Sequence, residues 1–304
     1  MRKTRYLSIS DDCWNEKIES GLKILERCCL CAHYCGVNRI DGQAGVCGEG
    51  FFPKISSVSA HFGEEPPISG IDGSGTIFFS GCSLKCVYCQ NYPISQLNVG
   101  SELPFDKLSD HMLGLQAKGC HNINLVTPTH FIPQIIMALK EACMGGLSVP
   151  IVYNTSGYES AEALELLSGV VDIYLVDMRY SKDIFGKKYS NVSDYPMVNR
   201  NAVKWMASEV GRLVCDGDGI AQRGLIVRLL ILPNMLGELK DNLRFLSEKI
   251  SFLPSISLMS QYFPAGKAMD TDLDRKISKD EYDEAVLYME SLRFSDGWVQ
   301  EYDC

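Results

Sequence analysis

The chain has 304 residues, 46% of them hydrophobic, enough for one large domain with a substantial core and a small accessory module. Its formal net charge of −9 argues against a broad electrostatic footprint on nucleic acid or on an anionic membrane. No stretch reaches the roughly 20 apolar residues of a membrane span, and the basic start Met1-Arg2-Lys3 leads into Asp11, Asp12, Glu16 and Glu19 rather than an apolar signal core, so a cytoplasmic protein is expected.

In chain order, residues 1 to about 60 follow no helix or strand rhythm and are rich in cysteine, then in glycine through Asp41-Gly42-Gln43-Ala44-Gly45-Val46-Cys47-Gly48-Glu49-Gly50. Thirteen cysteines in a reducing compartment point to metal ligation rather than a disulfide framework. Cys28, Cys31, Cys35 and Cys47 form one group and Cys82, Cys86 and Cys89 a second, while Cys13, Cys29, Cys120, Cys143, Cys215 and Cys304 are scattered and read as packing residues. The first group suits either a closed zinc site or a four-thiolate iron–sulfur cluster, with His33 and Cys29 as competing ligands and an unmetallated thiol cluster as the remaining alternative. Residues 1–70 are therefore read as a small metal-binding lobe, and 71–304 as the main domain.

From about residue 75, short β-rich runs alternate with amphipathic helices, as βα units around a parallel sheet do. Strands are expected at 76–79, 123–126, 151–153, 171–176, 225–232 and 255–259, mostly as continuous apolar runs suited to burial on both faces. Apolar stripes at helical spacing lie between them, with Leu108, Met112 and Leu115, then Ile132, Ile135, Ile136 and Leu139, and later Tyr282, Ala285, Val286 and Met289. Pro104 and Pro133 suit helix starts, and Gly119 and Gly145 suit helix ends. Six such units predict an α/β fold, a partial (β/α)6 TIM-type barrel with its site at the C-terminal strand ends.

Directly after the first strand comes Ser80-Gly81-Cys82-Ser83-Leu84-Lys85-Cys86-Val87-Tyr88-Cys89-Gln90-Asn91, a C-x3-C-x2-C loop. Ordinary electron-transfer cubanes take four thiolates, so three leave one iron of a [4Fe-4S] cluster open to a chelating small molecule. S-adenosylmethionine has the amino and carboxylate groups for that role, and one electron from the cluster then cleaves it to methionine and a 5′-deoxyadenosyl radical. Gly81 would let the backbone approach the cluster, and Tyr88 would offer an aromatic face beside it. A zinc site short of one ligand, or packed thiols, are the plain alternatives.

Cys82, Cys86, Tyr88 and Cys89 resemble the C-x3-C-x-aromatic-C motif of the radical SAM superfamily. Longer phrases extend the likeness over nearly the whole chain: His61-Phe62-Gly63-Glu64-Glu65-Pro66-Pro67-Ile68-Ser69-Gly70, Asn122-Ile123-Asn124-Leu125-Val126-Thr127-Pro128-Thr129-His130 and Tyr153-Asn154-Thr155-Ser156-Gly157-Tyr158 resemble the pyruvate formate-lyase activating enzyme-like branch. The resemblance implies that Thr127-Pro128-Thr129 stands where the family has a Gly-Gly-Glu-type segment, so that carbonyls or the hydroxyls of Thr127 and Thr129 would receive the amine of S-adenosylmethionine. It implies that Asn154-Thr155-Ser156-Gly157 lies near the ribose, although a capped strand-to-helix turn explains the same residues. Asp177-Met178-Arg179 resembles an Asp-Leu-Lys segment, with Arg179 in the lysine's place. Arg228 sits inside an apolar strand and needs an anionic partner, either the carboxylate of S-adenosylmethionine or an internal acid such as Asp177. Gln261 and Tyr262 follow the sixth strand without an assigned role.

The leading functional expectation is an anaerobic radical SAM oxidoreductase that abstracts hydrogen, from a glycine of a partner glycyl-radical enzyme by analogy with the branch. The alternatives are a small-molecule or cofactor-maturation radical enzyme and, from another class, a non-catalytic electron-transfer protein. The radical chemistry implies a one-electron donor of the flavodoxin or ferredoxin kind.

Overall fold

The computed structural model describes residues 4–302; Met1, Arg2, Lys3, Asp303 and Cys304 lie outside them. Helix α1 (Asp11–Glu26) starts where Ser10 accepts the Cys13 N–H and Asp11 and Asp12 face the positive helix end. A side chain at Gly21 would come within 2.9 Å of Pro133, so this glycine lets α1 lie close against the later helix that contains Pro133. The Cys-rich segment follows, and then β1 (Lys54–His61), the short α2 (Pro66–Ser69), β2 (Ser74–Phe79), the short α3 (Tyr92–Ser95) and the two-residue β3 (Ser101–Glu102).

From there the chain alternates: α4 (Phe105–Ala117), β4 (Ile123–Val126), α5 (Ile132–Met144), β5 (Ile151–Thr155), α6 (Ala161–Leu167), β6 (Ile173–Asp177), α7 (Asp183–Ser190) and α8 (Tyr195–Val210). It continues through β7 (Val214–Cys215), β8 (Ala221–Leu230), α9 (Leu236–Lys249), β9 (Ser255–Met259), α10 (Lys279–Ser291) and β10 (Gly297–Val299). The sheet order is β10-β9-β8-β6-β5-β4-β2-β1-β3, with β7 paired to β8 alone. All neighbours from β2 to β10 along this path are parallel, while β1 is antiparallel to both β2 and β3. The fold is α/β with an open, partial TIM-type barrel.

All six expected strands are present, with β6 beginning at Ile173 and β8 ending at Leu230. A seventh parallel strand, β10, was not expected, because Gly-Trp-Val is short and carries no apolar run. The division at residue 70 falls between β1 and β2, two paired strands of one sheet, so the main sheet begins before the barrel rhythm does.

Strand alternation separates two sets of side chains. Ile123, Leu125, Ile151, Tyr153, Tyr174, Val176, Leu225 and Val227 join the large core with the helices, which includes the expected stripes of α4 and α5. Val152, Ile173, Leu175 and Ile226 form a smaller cluster on the inner face with Ile68 of α2. Burying each such aliphatic side chain contributes about 1.5–3 kcal/mol. The inner-face parity continues to Asn154, Asp177 and Arg228, so the polar groups near the strand ends point inward by the same rule that buries the apolar ones.

Candidate functional site

The loop leaving β2 is held at many points. Ser80 O accepts from His130 Nε2 at 2.6 Å and Ser83 O from His33 Nε2 at 2.7 Å. The Val87 N–H donates to Tyr189 O, Lys267 N–H donates to Val87 O, and Gln96 donates to Cys86 O. Gly81 has φ +77°, and a Cβ there would lie 2.6 Å from Glu49 Cγ and 2.9 Å from Cys47 O, so both conformation and space demand glycine.

Cys82, Cys86 and Cys89 line one cavity of about 220 Å³. Each sulfur faces a donor. Leu84 N–H is 3.4 Å from Cys82 Sγ, Ser190 Oγ is 2.9 Å from Cys86 Sγ, and Ser95 Oγ is 3.2 Å from Cys89 Sγ. Arg179 Nη1 is a second donor to Cys86 Sγ, at 3.5 Å. Burial pushes the Cys82 thiol up to about 11 and the Cys89 thiol up as well, and the donors Leu84 and Ser95 offset only part of that. Tyr88 also lines the cavity, but its ring is buried edge-on against Tyr180, Tyr189 and Tyr262 at 6.3–6.5 Å between centroids.

The far wall comes from the strand ends. Thr127, Asn154, Asp177, Arg179 and Arg228 all reach the same cavity. The register sets Arg228 directly beside Asp177, and Arg228 Nε donates to Asp177 Oδ1 at 2.7 Å while Nη2 donates to Asn154 Oδ1 at 2.6 Å. Glu64 Oε2 is a further anionic neighbour, 3.5 Å from Arg228 Nη1. Arg179 Nη2 closes the network on Asp177 Oδ2 at 2.6 Å. Burial raises the Asp177 carboxyl, but Arg228 and Arg179 outweigh it and hold it below the ordinary range. Arg228 therefore has its anionic partner inside the protein, the second of the two alternatives read from sequence, and all three of its guanidinium nitrogens face protein groups although the residue lines the cavity.

Thr127 takes φ +56°, a left-handed conformation that is unusual for a β-branched residue, with its N–H donating to Asn154 O. Thr129, expected with it, does not line the cavity. Its hydroxyl donates to Glu159 Oε1 at 2.7 Å, in a buried group completed by Tyr153 and Thr155. The short 3₁₀ turn 129–131 rotates the second threonine away from the strand end. His33 is likewise taken up through its Nε2, which bonds to Ser83 O. Gln261 lines the cavity, whereas Tyr262 packs behind Tyr88 and donates to Leu273 O.

Sequence reasoning missed Glu64, Ser95 and Ser190. Glu64 lay in a quoted phrase, but nothing local shows that a loop between antiparallel strands reaches Arg228. The two serines carry no pattern at all.

Residues 76–205 match the description of the Radical SAM superfamily. An uncharacterized protein of Methanocaldococcus jannaschii is 30% identical over 288 residues, 89% of this chain and 76% of its own length. The chain belongs to the radical SAM superfamily. Enzymes of this superfamily use a [4Fe-4S] cluster and S-adenosylmethionine. Among solved structures, this radical SAM chain is similar to a domain of pyruvate-formate lyase-activating enzyme from Bacteroides vulgatus, at 11% identity over 56% of this chain and 91% of that one, with a TM-score of 0.40. It is also similar to Streptococcus suis SuiB bound to S-adenosylmethionine, at 10% identity over 72% and 48% of the two chains, with a TM-score of 0.49. No helix among the described residues is long and apolar enough to cross a membrane.

The donor set fits the cofactors. Three soft thiols on one loop open onto a cavity whose opposite wall carries hydroxyl, amide, carboxylate and guanidinium groups, and Arg179 Nε is buried there without a hydrogen-bond partner.

Proposed function

We propose that Cys82, Cys86 and Cys89 hold the [4Fe-4S] cluster and that the strand-end wall receives S-adenosylmethionine. The observation that carries this is that all three thiols and the polar ends of four different strands line the same cavity. When bound, the cluster supplies one electron for reductive cleavage of S-adenosylmethionine to methionine and a 5′-deoxyadenosyl radical, which takes a hydrogen atom from the substrate. A one-electron donor of the flavodoxin or ferredoxin class provides that electron.

The chain's own residues bind and orient. Thr127 offers its hydroxyl and the reshaped strand end to the amine. Asn154 and Asp177, fixed by Arg228, present oxygens to the ribose side, and the unpartnered Nε of Arg179, with the positive charge of Arg228 beside it, serves the carboxylate. Tyr88 and the tyrosines behind it keep water from the loop.

For the substrate we favour a glycine of a partner protein. Gln261 lines both the main cavity and an adjoining depression bounded by Phe263, Lys276 and Gln300. This gives an extended chain a path outward from the mouth, and Phe263 and Tyr92 are exposed beside it. Residues 1–70 act in this reading as a metal-binding lobe that braces the loop of a cytoplasmic enzyme.

The test is anaerobic incubation of reconstituted protein with S-adenosylmethionine and a reductant. Methionine and 5′-deoxyadenosine are expected from the wild type and not from Cys82→Ala, Cys86→Ala or Cys89→Ala. Full activity in any of these variants refutes the assignment. With a candidate partner protein labelled by deuterium at glycine, label should pass into 5′-deoxyadenosine. Product without label leaves the radical chemistry and removes the protein-substrate reading in favour of a small molecule.

A further inference from the structure

The pairing of β5 with β6 ends at Thr155 and Val176, just before Ser156 and Asp177, two residues that line the cavity. The carbonyls of these two residues both take their donors from one helix. Tyr195 and Asn199 stand one turn apart on α8 and so share a face. The Tyr195 hydroxyl bridges Ser156 O at 2.8 Å and Asp177 O at 3.1 Å. The Asn199 amide donates to the same two oxygens, at 3.2 Å and 2.9 Å.

Both side chains are buried, with 0% and 1% of their surface exposed, and neither lines the cavity. A buried phenol or amide is costly unless it is hydrogen-bonded, and apolar residues would serve packing alone. Here the bonds run to the ends of the two strands that carry Asn154 and Asp177.

The turn after β5 is shaped for this grip. Gly157 has φ +70°, and a Cβ there would collide with the Asn199 amide and come within 3.0 Å of Val176 Cγ2. Tyr158 then donates to Asp194 Oδ1 at 2.6 Å, where α8 begins, and its ring stacks on Tyr195 at 6.2 Å between centroids. The Tyr195 hydroxyl also accepts the Arg179 N–H at 3.2 Å, and the Arg179 guanidinium is the group that reaches Cys86 Sγ. The start of one helix thus fixes both strand ends and the backbone of the residue that faces the thiols.

We propose that Tyr195 and Asn199 are positioning residues that set the spacing between the ends of β5 and β6, and with it the fit of the ribose of S-adenosylmethionine, a role that rests on the strand-end wall being the site for that molecule. Each acts through a backbone carbonyl rather than by reaching the cavity. Losing either donor leaves a buried carbonyl short of a partner and loosens one strand end against the other. The cost then falls on the nucleoside part of the ligand, because the thiols are held by other bonds.

The experiment measures dissociation constants on the full chain, reconstituted anaerobically with iron and sulfide. The probes are S-adenosylmethionine and 5′-deoxyadenosine, which keeps the ribose but has no amino or carboxylate group. Tyr195→Phe and Asn199→Asp should each weaken both probes by the same factor, about tenfold. Thr129→Val is the comparison, since it strips a buried hydroxyl that is turned away from the cavity. It should lose melting temperature yet keep both affinities within about twofold. Unchanged binding of 5′-deoxyadenosine by Tyr195→Phe overturns the proposal, and so does a loss confined to S-adenosylmethionine, which would place the effect at its amino-acid end. An equal loss of affinity in Thr129→Val also counts against it, because general loosening would then account for the result. If Asn199→Asp fails to fold, Tyr195→Phe, which removes one oxygen and keeps the stacked ring, decides alone. A wild-type chain that binds neither probe refutes the S-adenosylmethionine site itself, whereas wild-type binding with unaffected variants refutes only the role of α8.

Discussion

Replacing Arg179 by Gln should make the catalytic cluster harder to reduce. Arg179 Nη1 lies 3.5 Å from Cys86 Sγ, and Asp177 pairs with the same guanidinium at 2.6 Å. At an effective dielectric near 20, a unit positive charge 3.5 Å from the sulfur is worth about 4–5 kcal/mol to an added electron, or roughly 200 mV at about 59 mV per tenfold change for one electron. Asp177 offsets part of this, and the cluster spreads its charge, so the expected shift is about 50–200 mV downward. Arg179→Lys keeps the charge and should recover most of it. The assay is a redox titration followed by the paramagnetic signal that responds to S-adenosylmethionine, run on wild type and both variants. A shift below about 20 mV, or a shift upward, would refute an electrostatic role for Arg179 at the cluster.

Thr129→Val should leave the affinity for S-adenosylmethionine within about twofold and cost about 1–3 kcal/mol of stability, because it strips a donor from the buried Glu159. Weakened binding with unchanged melting would return Thr129 to the cavity. His130 is held neutral, its pKa pushed down to about 3 by burial and by Arg39. An unfolded histidine titrates near 6.5, so the stability linked to this residue is complete above that pH and is lost as pH falls toward 3, by about 2 kcal/mol at pH 5. His130→Gln should flatten the melting temperature between pH 7 and 5 relative to wild type, and parallel profiles would count against the buried neutral ring.

The sequence made the barrel legible where burial on both faces leaves continuous apolar strands and where helices carry a 3.6-residue stripe. It failed at β10, whose three residues are recruited by pairing with β9 rather than by any propensity of their own. At the site, the cysteine spacing and the inward Arg228 were legible because each breaks a local expectation. The place of Thr129 was not legible because a single turn of 3₁₀ helix decides where its hydroxyl points, nor that of Glu64, because its partner is 164 residues away in the chain, at a distance only the folded register creates.

The sheet that carries this chemistry never closes. Its two ends are β10, three residues long, and β3, two residues long, and β1 beside the latter carries an irregularity between Ile55 and Ser57. Long flat edges are templates for pairing with other chains, and short or bulged ones are not. The sheet thus stays open without offering a ladder of free backbone groups to a neighbouring molecule.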